Sequence, residues 1–407
     1  MGLQRRSSTT GALAGLRVLD LSRVLAGPIC TQSLGDFGAD VVKVERPGAG
    51  DDTRQWGPPF VDDDAGHRFS TYFLCANRNK RSIVLDLKTD AGRDAVLRLA
   101  NRSDVLVENF LPGVLDRMGL GYDALSKTNP KLVYASISGY GESGPKAHLP
   151  GYDVVLSAAG GLMGATGEAR DRPPVKVAVA VTDLCTGWIL QGAILSALIS
   201  RSSTGKGQRI TTSLLEVQVA SMINLATAFL NAGAVAEPLG SAHASIVPYQ
   251  AFPTADGRWI VIGAGNDVQF SALCDALGLS DLAKCHPTNA DRVANRSDVV
   301  SRISNAVRSM TATQVETKLS GTGCPCGPVN RIDEVFDDEQ VRHLDMVQLI
   351  QGLSMVRTPV TLSATPTIAR YPPPRLGQHT REILAELGYA ANQIDEMLTQ
   401  TSAFQAL

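Results

Sequence analysis

The sequence predicts an α/β protein, with a large Rossmann-like domain built on an open parallel sheet and a smaller α+β domain. Short β-branched runs alternate with helical segments in the first half of the chain, most of these runs are largely apolar, and the pattern changes near residue 240. Apolar strands separated by helices are typical of a parallel sheet that is covered on both faces. A chain of 407 residues is also too long for one ordinary core.

Five runs in the N-terminal half have the pattern of strands in this sheet: residues 16–22, 40–45, 81–87, 104–110 and 131–137. Residues 90–102 have the pattern of a helix between two of them. The run "VKVAVAVTD", residues 175–183, predicts a further strand ending on Asp183, and residues 184–200 predict the helix that follows it. The uncharged run 217–236 has the length of a membrane span, but its amide and hydroxyl side chains favour a buried helix.

The smaller domain is expected over residues 240–340. A hairpin with Asp256 and Gly257 at its turn begins the domain, and helical patterns follow at 267–278 and 311–319. The large domain then takes residues 1–225, and residues 341–407 form a return segment whose terminal helix packs on it.

The composition excludes several classes of protein. With 44% apolar residues, 19% charged residues and a formal net charge of −2, the chain resembles a soluble enzyme and has no basic face for nucleic acid. Seven widely spaced cysteines predict reduced, mostly buried thiols and no metal site, because Cys324 and Cys326 have no second pair nearby. We expect no membrane partner.

The first fifteen residues, "MGLQRRSSTTGALAG", contain two arginines and no acid. This composition fits a short mitochondrial presequence and also an ordinary bacterial N-terminus. We therefore expect the mitochondrial matrix if the protein is eukaryotic and the cytoplasm if it is bacterial.

One glycine motif suggests a dinucleotide-binding site, but the residues that follow it do not fit one. Gly139, Gly141 and Gly144 spell GxGxxG directly after a predicted strand. In a dinucleotide fold a helix must begin at the third glycine, and an acidic residue should follow about 20 positions later. Pro150 would end such a helix too early, and Ala159 stands near the acidic position. We therefore reject a nicotinamide nucleotide as the ligand.

Ligands of open α/β sheets bind outside the carboxyl ends of the strands. Polar groups that follow predicted strands are therefore the site candidates: Arg23, Arg46, Lys88, Asn109, the 139–144 turn and Asp183. Asp183 lies between an apolar strand pattern and a long uncharged helix pattern. Its carboxylate could cap the helix N-terminus or carry chemistry, and both interpretations remain open from the residues alone.

Several stretches together resemble the family III CoA-transferases, which include formyl-CoA transferase and α-methylacyl-CoA racemase. They are "LRVLDLSRVLAGP", "GADVVKVERPGAGDDTR", "NRNKRSIVLDLK", "VENFLPGVLDRMGLGYDAL", "SISGYGESGP", "GYDVVLSAAGGLMGATG", "TGKGQRITTSLLE" and "PRLGQHTREILAELGY". The stretches "GDDTRQWGPPF" and "SAHASIVPYQAF" look like the branch that moves CoA from succinyl-CoA to other dicarboxylic acids, such as glutarate or 3-hydroxy-3-methylglutarate.

The resemblance implies that Asp183 is the catalytic nucleophile and that coenzyme A is a substrate rather than a permanently bound cofactor. A carboxylate can attack the donor thioester and form a mixed anhydride, and the released thiolate can then form an aspartyl-CoA thioester. No metal is needed, and an ordinary pKa of about 4 would leave Asp183 ionised at neutral pH. Oxyanion donors are expected among backbone N–H groups near a helix start or a glycine turn.

The resemblance also implies a set of residues around CoA: Leu25, Ala26, Arg46, Leu85, Lys88, Asn109, Phe110, Arg117 and Tyr152. Each of the basic residues could instead be an ordinary solvated charge, and Phe110 could belong to the core. The 139–144 turn would bring its backbone close to Tyr152 and Asp153. The expected partners are acyl-CoA and small carboxylic acids, and the expected assembly is an interlocked homodimer.

Two departures from the family pattern separate its branches. Racemases of the family have a histidine where this chain has Tyr152, so the racemase activity, which exchanges an α-proton, is the alternative rather than the main expectation. The loop "GSAHASIVPYQ", residues 240–250, offers His243, Ser245 and Tyr249 to a distal carboxylate, although it could equally be a packed loop. Arg54 and Asp153 complete the expected substrate contacts.

Overall fold

The computed structural model describes residues 11–400 and divides them into two compact units. The first unit comprises residues 11–162, 177–232 and 343–400, and the second comprises 163–176 and 233–342. The expectation of a presequence therefore lies largely outside the described residues. The segment 163–176, which the sequence analysis assigned to the large domain, belongs to the second unit.

The first unit contains a six-stranded sheet, two short hairpins and the helices around them. Its strands are β1 Arg17–Asp20, β2 Asp40–Glu45, β3 Phe60–Asp62, β4 Arg68–Ser70, β5 Lys80–Val84, β6 Val105–Glu108, β7 Val133–Ser138, β8 Arg209–Ser213, β12 Val347–Ile350 and β13 Leu353–Val356. Its helices are α1 Ala26–Asp36, α2 Thr71–Leu74, α3 Asp90–Ala100, α4 Val114–Arg117, α5 Tyr122–Thr128, α6 Asp153–Ala159, α8 Val181–Thr204, α9 Leu214–Ser221, α10 Ile223–Ala232, α18 Thr380–Glu386 and α19 Ala391–Gln400.

The six main strands run parallel in the order β5-β2-β1-β6-β7-β8. Counted along the chain this order is 3-2-1-4-5-6, which is the doubly wound arrangement of nucleotide-binding sheets. The predicted Rossmann-like parallel sheet is thus confirmed. The order reverses between β1 and β6, so a crevice is expected at the carboxyl ends of these two neighbouring strands.

Apolar residues on both faces of the sheet explain why it forms. Leu19 of β1 belongs to a core shared with α3, α5 and α18, whereas the adjacent Val18 belongs to a second core shared with α1 and α8. Successive residues of a strand point to opposite faces, so one strand supplies both cores. Ile383 and Leu384 of α18 pack in the first of these cores.

The second unit is an antiparallel three-stranded sheet with helices on one face. The strands are β9 Tyr249–Pro253, β10 Trp259–Gly263 and β11 Cys326–Pro328, in the order β11-β10-β9. The helices are α11 Asp267–Leu277, α12 Ser280–Cys285, α13 Asn289–Ala294, α14 Arg296–Val307, α15 Ala312–Leu319 and α16 Ile332–Asp337, and two helices lie across the unit boundaries, α7 Leu162–Ala165 and α17 Glu339–His343. The predicted hairpin is confirmed, and Gly257 has the positive φ of 76° that its turn requires.

Two secondary-structure predictions are wrong. Residues 175–180 form no strand, and the helix that was expected from residue 184 begins at Val181. The sixth strand is instead β8, whose residues are mostly partly exposed and polar. The uncharged run 217–236 is not one buried helix but two, α9 and α10, which bend by 75° at Ile223. No residue of α10 is buried.

α8 has 24 residues and the length and apolar composition of a membrane span, and α9 with α10 would make a second span if their bend were ignored. The buried face of α8 packs closely on α1, as the core helix of an α/β domain does. Within residues 11–400, no three His, Cys, Asp or Glu side chains come together as a metal site. All seven cysteines are free thiols: three are buried, two are half-buried and two are exposed.

Candidate active site

A cavity of about 280 Å³ opens at the point where the strand order reverses. Three segments that follow the ends of β1, β6 and β7 line it, together with the segment before α6 and with Asp183. We call it the Asp183 cavity. Its lining is Arg23, Val24, Leu25, Ala26, Asp52, Asn109, Phe110, Leu111, Pro112, Ile137, Ser138, Gly139, Pro150, Gly151, Tyr152, Asp183 and Leu214. The predicted location at the carboxyl ends of the strands is therefore where the cavity lies.

Asp183 is the third residue of α8 and does not cap it. The helix begins at Val181, and the cap is supplied by Asp153, whose Oδ1 accepts hydrogen bonds from the backbone N–H groups of Thr182 (2.8 Å) and Asp183 (3.1 Å). The Asp183 carboxylate makes no hydrogen bond to any described residue, although the side chain is only 8% exposed. Of the two interpretations left open by the sequence, capping is excluded.

The surroundings of Asp183 favour its protonated form. Burial raises the pKa of this carboxyl to about 7, and the nearby charge of Asp153 adds to the effect. This pKa is higher than the ordinary value of about 4 on which the sequence expectation relied. Carboxyl groups with such shifted pKa values cluster at functional sites, because burial without a charged partner is costly and is retained where chemistry uses it.

The N-terminus of α1 lies next to the helix that carries Asp183. No side chain caps α1, and both the N-cap residue Leu25 and the first helical residue Ala26 line the Asp183 cavity. A methyl group added at Gly187, one turn after Asp183, would lie only 2.6 Å from the backbone oxygen of Ala26 and 2.2 Å from the Ile29 side chain. The two helices therefore approach closely only because residue 187 has no side chain.

The 139–144 turn contributes backbone rather than a helix N-terminus. A methyl group at Gly139 would lie 2.9 Å from both Cα and N of Gly151, so the two backbones touch directly before Tyr152. No helix begins at Gly144, and the next one starts at Asp153. The motif follows the fifth strand of the sheet, whereas a dinucleotide fingerprint follows the first. The position of this motif therefore differs from that of a dinucleotide fingerprint.

Arg23 and Phe110 line both the Asp183 cavity and a second cavity of about 170 Å³. The guanidinium of Arg23 lies 5.1 Å from the centre of the Phe110 ring and has no ionic partner among the described residues. We call the second space the Lys88 cavity. It is lined by Leu21, Arg23, Lys43, Val44, Glu45, Arg46, Gly50, Asp51, Leu85, Asp86, Leu87, Lys88, Phe110 and Met118.

Asn109 holds the loop between the two cavities. Its Oδ1 accepts from the Arg23 backbone N–H at 2.9 Å, and its Nδ2 donates to the Arg23 carbonyl oxygen at 2.7 Å. Both ends of its amide are therefore used within the protein. Asn109 lines the Asp183 cavity, but its amide bonds to the protein backbone.

Two fully buried lysines support the same loop from below. Lys43 Nζ lies 2.9 Å from the carboxylate of Asp51 and donates to the Ser22 carbonyl oxygen, while Lys80 Nζ pairs with Asp20 at 3.0 Å. Burial of the Asp51 carboxyl favours its protonated form. The positive charge of Lys43 opposes this effect, and the pKa of Asp51 is lowered to about 2. Asp51 also accepts from the N–H of Val24, a β-branched residue held at a φ of 71°. Such strain persists only where surrounding contacts fix it.

The remaining predicted residues have different surroundings. Arg46, Leu85 and Lys88 line the Lys88 cavity, and Arg46 forms an exposed ion pair with Asp52. Arg117 is the last residue of α4 and lines neither cavity. Arg54 is bound through two bonds of 2.7 Å to Glu45 and lies 3.7 Å from the centre of the Phe73 ring.

The expectation that Arg54 binds substrate gains no support from this placement. Its guanidinium also donates to the Pro374 carbonyl oxygen, and it lines neither of the two cavities. His243, Ser245 and Tyr249 belong to the second unit, where they lie in and beside the loop that leads into β9.

The sequence analysis missed Tyr72 altogether. Burial raises the pKa of its phenol to about 12, and the charge of Asp183 is the next contribution, so the phenol lies within electrostatic reach of this carboxylate. Its ring packs edge-on against Trp56 at 4.9 Å. Tyr72 lies in none of the stretches that carry the family resemblance, so no signal for it was available in the sequence.

Comparison with known proteins shows the family to which the chain belongs. The model of CoA-transferase family III matches residues 13–380. The chain belongs to this family. As a member of CoA-transferase family III, it is a CoA-transferase, with CoA thioesters as its substrates.

Similar family III proteins carry names that specify dicarboxylic acids as their substrates. The chain is 46% identical over 394 residues to succinyl-CoA:glutarate CoA-transferase of Mus musculus, covering 95% of this chain and 89% of that protein. It is 43% identical to succinate–glutarate CoA-transferase of Agrobacterium fabrum, covering 92% and 95%. A solved structure of a CAIB/BAIF family protein from Brucella suis, 42% identical, superposes with a TM-score of 0.84 and covers 93% of this chain and all of that one. These names support CoA transfer to dicarboxylates and do not favour the racemase alternative.

Proposed function

We propose that this enzyme transfers CoA reversibly from succinyl-CoA to a dicarboxylic acid such as glutarate or 3-hydroxy-3-methylglutarate, with Asp183 as the nucleophile. The observation that carries the proposal is the carboxylate of Asp183, which is buried, has no hydrogen-bond partner among the described residues and lines a cavity at the strand-order reversal. The relatives named for glutarate supply the choice of acid.

The first half of the reaction exchanges one activated acyl bond for another. A carboxylate oxygen of Asp183 attacks the thioester carbonyl of succinyl-CoA, the carbon–sulfur bond breaks, and a mixed anhydride and CoA thiolate result. The thiolate then attacks the aspartyl carbonyl, so the anhydride bond breaks, succinate leaves and CoA remains on Asp183 as a thioester. The acceptor acid reverses these steps and leaves as its CoA ester, and Asp183 is regenerated.

Backbone N–H groups at the start of α1 are the proposed oxyanion donors. This helix end has no side-chain cap, and its residues Leu25 and Ala26 line the cavity that contains Asp183. Each tetrahedral intermediate carries a negative charge on the former carbonyl oxygen, and fixed N–H groups stabilise such a charge without reorganising. The strained Val24 loop, held by Asp51, would keep these groups in place.

The two cavities, which share Arg23 and Phe110 in their linings, are assigned in this proposal to the two ends of the donor. We assign the Lys88 cavity to the nucleotide end of CoA, because Leu85 and Phe110 offer apolar walls and Arg23, Arg46 and Lys88 offer cations to phosphates. The Asp183 cavity then receives the thioester. Tyr152, the 57% exposed residue directly before α6, lines the Asp183 cavity beside Asp153. Arg117 stays a prediction, since it lines neither cavity.

The interlocked homodimer that the family resemblance implies completes the proposal. Support comes from α10, where Ile223, Phe229 and Leu230 are all more than half exposed. Soluble proteins seldom leave several large apolar side chains of one helix in water without a partner.

The decisive experiment follows new CoA esters by mass spectrometry after incubation of the enzyme with succinyl-CoA and a panel of acids. The panel contains glutarate, 3-hydroxy-3-methylglutarate, malate, itaconate and oxalate, and Asp183→Asn is the control. We expect the wild type to form glutaryl-CoA and the variant to form none. In the wild type, a CoA adduct trapped on the peptide that contains Asp183 would identify the intermediate.

Two outcomes would contradict the proposal. Transfer that survives in Asp183→Asn would mean that another carboxylate is the nucleophile. Exchange of an α-proton with deuterated solvent, without any acceptor, would indicate the racemase reaction instead.

A further inference from the structure

The Asp183 cavity contains a single cation. Of the described residues that line it, Arg23 alone has a positive side chain, whereas Asp52 and Asp183 are acidic. A dicarboxylic substrate adds another negative charge, because its distal carboxylate takes no part in the transfer and stays ionised at neutral pH. An ion that leaves water needs a partner of opposite charge. Arg23 is the residue that this cavity offers.

The charge of Arg23 is free to take such a partner. Within residues 11–400 its guanidinium forms no ion pair and donates no hydrogen bond. Arg54, which the sequence analysis expected at a substrate carboxylate, is instead bound to Glu45. A guanidinium carries its N–H donors in a planar fork that fits a carboxylate, and the resulting bonds are charge-assisted.

Contacts at both ends of Arg23 hold it in place. Asn109 Oδ1 accepts from the backbone N–H of Arg23 at 2.9 Å, and Asn109 Nδ2 donates to its carbonyl oxygen at 2.7 Å. The guanidinium lies 5.1 Å from the centre of the Phe110 ring, within the range of a cation–π contact. The N–H of Phe110 in turn donates to Glu108 Oε2 at 2.9 Å. A side chain that is ordered before binding loses little conformational entropy when a ligand arrives.

Arg23 lies apart from the nucleophile in the same cavity. Burial and the charge of Asp153 raise the pKa of Asp183, and Arg23 does not lower it. A cation within about 4–6 Å of the carboxyl would favour the ionised form. The gap between the two side chains leaves room for the carbon chain of a short dicarboxylic acid, with its reacting end at Asp183 and its distal end at Arg23.

The competing ligand for Arg23 is a phosphate of CoA, since Arg23 also lines the Lys88 cavity. Arg46 and Lys88 line that cavity and not the Asp183 cavity. The phosphates therefore have two cations without Arg23, whereas the described lining of the Asp183 cavity has no second cation. This difference favours the carboxylate.

We propose that Arg23 determines specificity by binding the distal carboxylate of the dicarboxylic substrate. The inference rests on the proposed transfer of CoA between dicarboxylic acids. Succinyl-CoA and the acceptor occupy the cavity in turn, so the acyl group of the donor and the free acid both depend on Arg23. Glutarate should accordingly be preferred over valerate, which has the same number of carbons but a methyl group at its far end.

The test measures the KM for glutarate, with succinyl-CoA as donor, and the Kd of free CoA by calorimetry. Arg23→Gln and Arg23→Met both remove the charge, and the second keeps an unbranched apolar stem beside Phe110. Loss of a charge-assisted bond predicts a KM about 10- to 100-fold higher in both variants, and the preference for glutarate over valerate should fall by the same factor. The Kd of free CoA, which has no acyl group, should not change.

Lys88→Gln is the matched control, because Lys88 lines the Lys88 cavity alone. This variant should bind free CoA more weakly and keep the wild-type KM for glutarate. Thermal unfolding of the three variants shows that each is folded.

Two results would overturn the inference. An unchanged KM for glutarate in the folded Arg23 variants would mean that Arg23 does not bind the acid. Weaker binding of free CoA in Arg23→Gln, with an unchanged preference for glutarate over valerate, would assign the guanidinium to a phosphate. A wild type that binds free CoA but transfers it to no dicarboxylic acid would instead contradict the proposed function itself.

Discussion

At the scale of single residues, Asp183 combines two opposed properties. It must be ionised to attack a thioester, yet burial raises its pKa to about 7. A carboxylate with few hydrogen bonds and little solvent is a stronger nucleophile, because nothing must be removed from it before attack. Burial therefore lowers the fraction of enzyme in which Asp183 is ionised at neutral pH, and it raises the reactivity of the ionised form.

The pH dependence of the reaction should report this carboxyl. We expect kcat/KM for succinyl-CoA to fall about tenfold per pH unit below pH 7 and to level off above it, because only the ionised form attacks. Glu108, whose pKa burial also raises to about 7, is the competing source of such a profile. The midpoint should persist in Glu108→Gln and move to lower pH in Asp153→Asn, which removes the charge that repels Asp183.

A midpoint that disappears in Glu108→Gln would assign the profile to that residue. Glu108 accepts the backbone N–H of Phe110 at 2.9 Å, so its protonation could act on the lining of both cavities.

The same pKa shift predicts how stability changes with pH. The folded state holds a proton on Asp183 up to about pH 7, whereas the unfolded chain loses it near pH 4, so the free energy of unfolding should fall as pH rises between these values. Asp183→Asn removes this cost. We expect the variant to be more stable than the wild type at pH 8 by at most about 4 kcal/mol, with a smaller difference at pH 5. Urea unfolding at the two pH values tests this, and a difference that does not grow with pH would contradict the shift.

At the scale of secondary-structure elements, the crossing of α1 and α8 positions the nucleophile. Gly187 lets the two helices approach, and Asp183 lies one turn before it. Any side chain at position 187 must displace α8 relative to the uncapped end of α1. The distance between the carboxylate and the proposed oxyanion donors would then change.

Two alanine substitutions on α8 separate packing from helix propensity. Gly187→Ala should destabilise the protein by about 1–3 kcal/mol and lower kcat, because the added methyl group meets α1. Gly192→Ala adds its methyl group where no atom lies within 4 Å, so it should stabilise the helix by up to about 1 kcal/mol and leave kcat unchanged. Thermal unfolding and steady-state kinetics measure both effects. Equal behaviour of the two variants would mean that the crossing does not control the site.

The elements also show what the sequence could reveal. The five predicted strands were recognisable because both of their faces are buried, as the alternation of Val18 and Leu19 between two cores illustrates. β8 escaped because it is an edge strand with partly exposed polar residues. Residues 175–180 have the β-branched alternation of a strand, but Val175 and Val179 are exposed, and none of the strands within residues 11–400 pairs with this segment. A local sequence pattern cannot show whether a neighbouring strand is present to pair with a segment.

The site was predictable to a similar extent. Position relative to strand ends identified Arg23 and Asn109, whereas Asp183 was selected through a predicted strand that does not form; all three line one cavity. The capping role of Asp153 could not be inferred, because it joins residues 30 positions apart. Nor could the sequence reveal that Arg54 is bound to Glu45, since a lone basic residue looks the same whether or not a partner is folded against it.

At the scale of the whole molecule, the exposed apolar side chains of α10 have no explanation in a single chain. We expect the wild type to have twice the mass of one chain by light scattering. Phe229→Glu combined with Leu230→Glu should give the mass of one chain, because two charges would be buried in a shared apolar surface. Circular dichroism shows whether the variant is folded. A wild type with the mass of one chain would refute the dimer.

The buried lysines beneath the Val24 loop have one more consequence, which concerns damage. Thioesters acylate amines, so an enzyme that handles succinyl-CoA is exposed to its own substrate. Burial lowers the pKa of Lys80 to about 8 despite its pairing with Asp20, which makes it the more reactive kind of amine. Lys80 and Lys43 are nevertheless at most 1% exposed, whereas Lys88 is open to solvent beside the proposed nucleotide pocket. Peptide mapping after long incubation with succinyl-CoA should find succinylated Lys88 and intact Lys43 and Lys80, and modification of either buried lysine would show that the loop above them opens. The fold thus keeps Lys43 and Lys80, the two amines that support the Val24 loop, out of contact with succinyl-CoA.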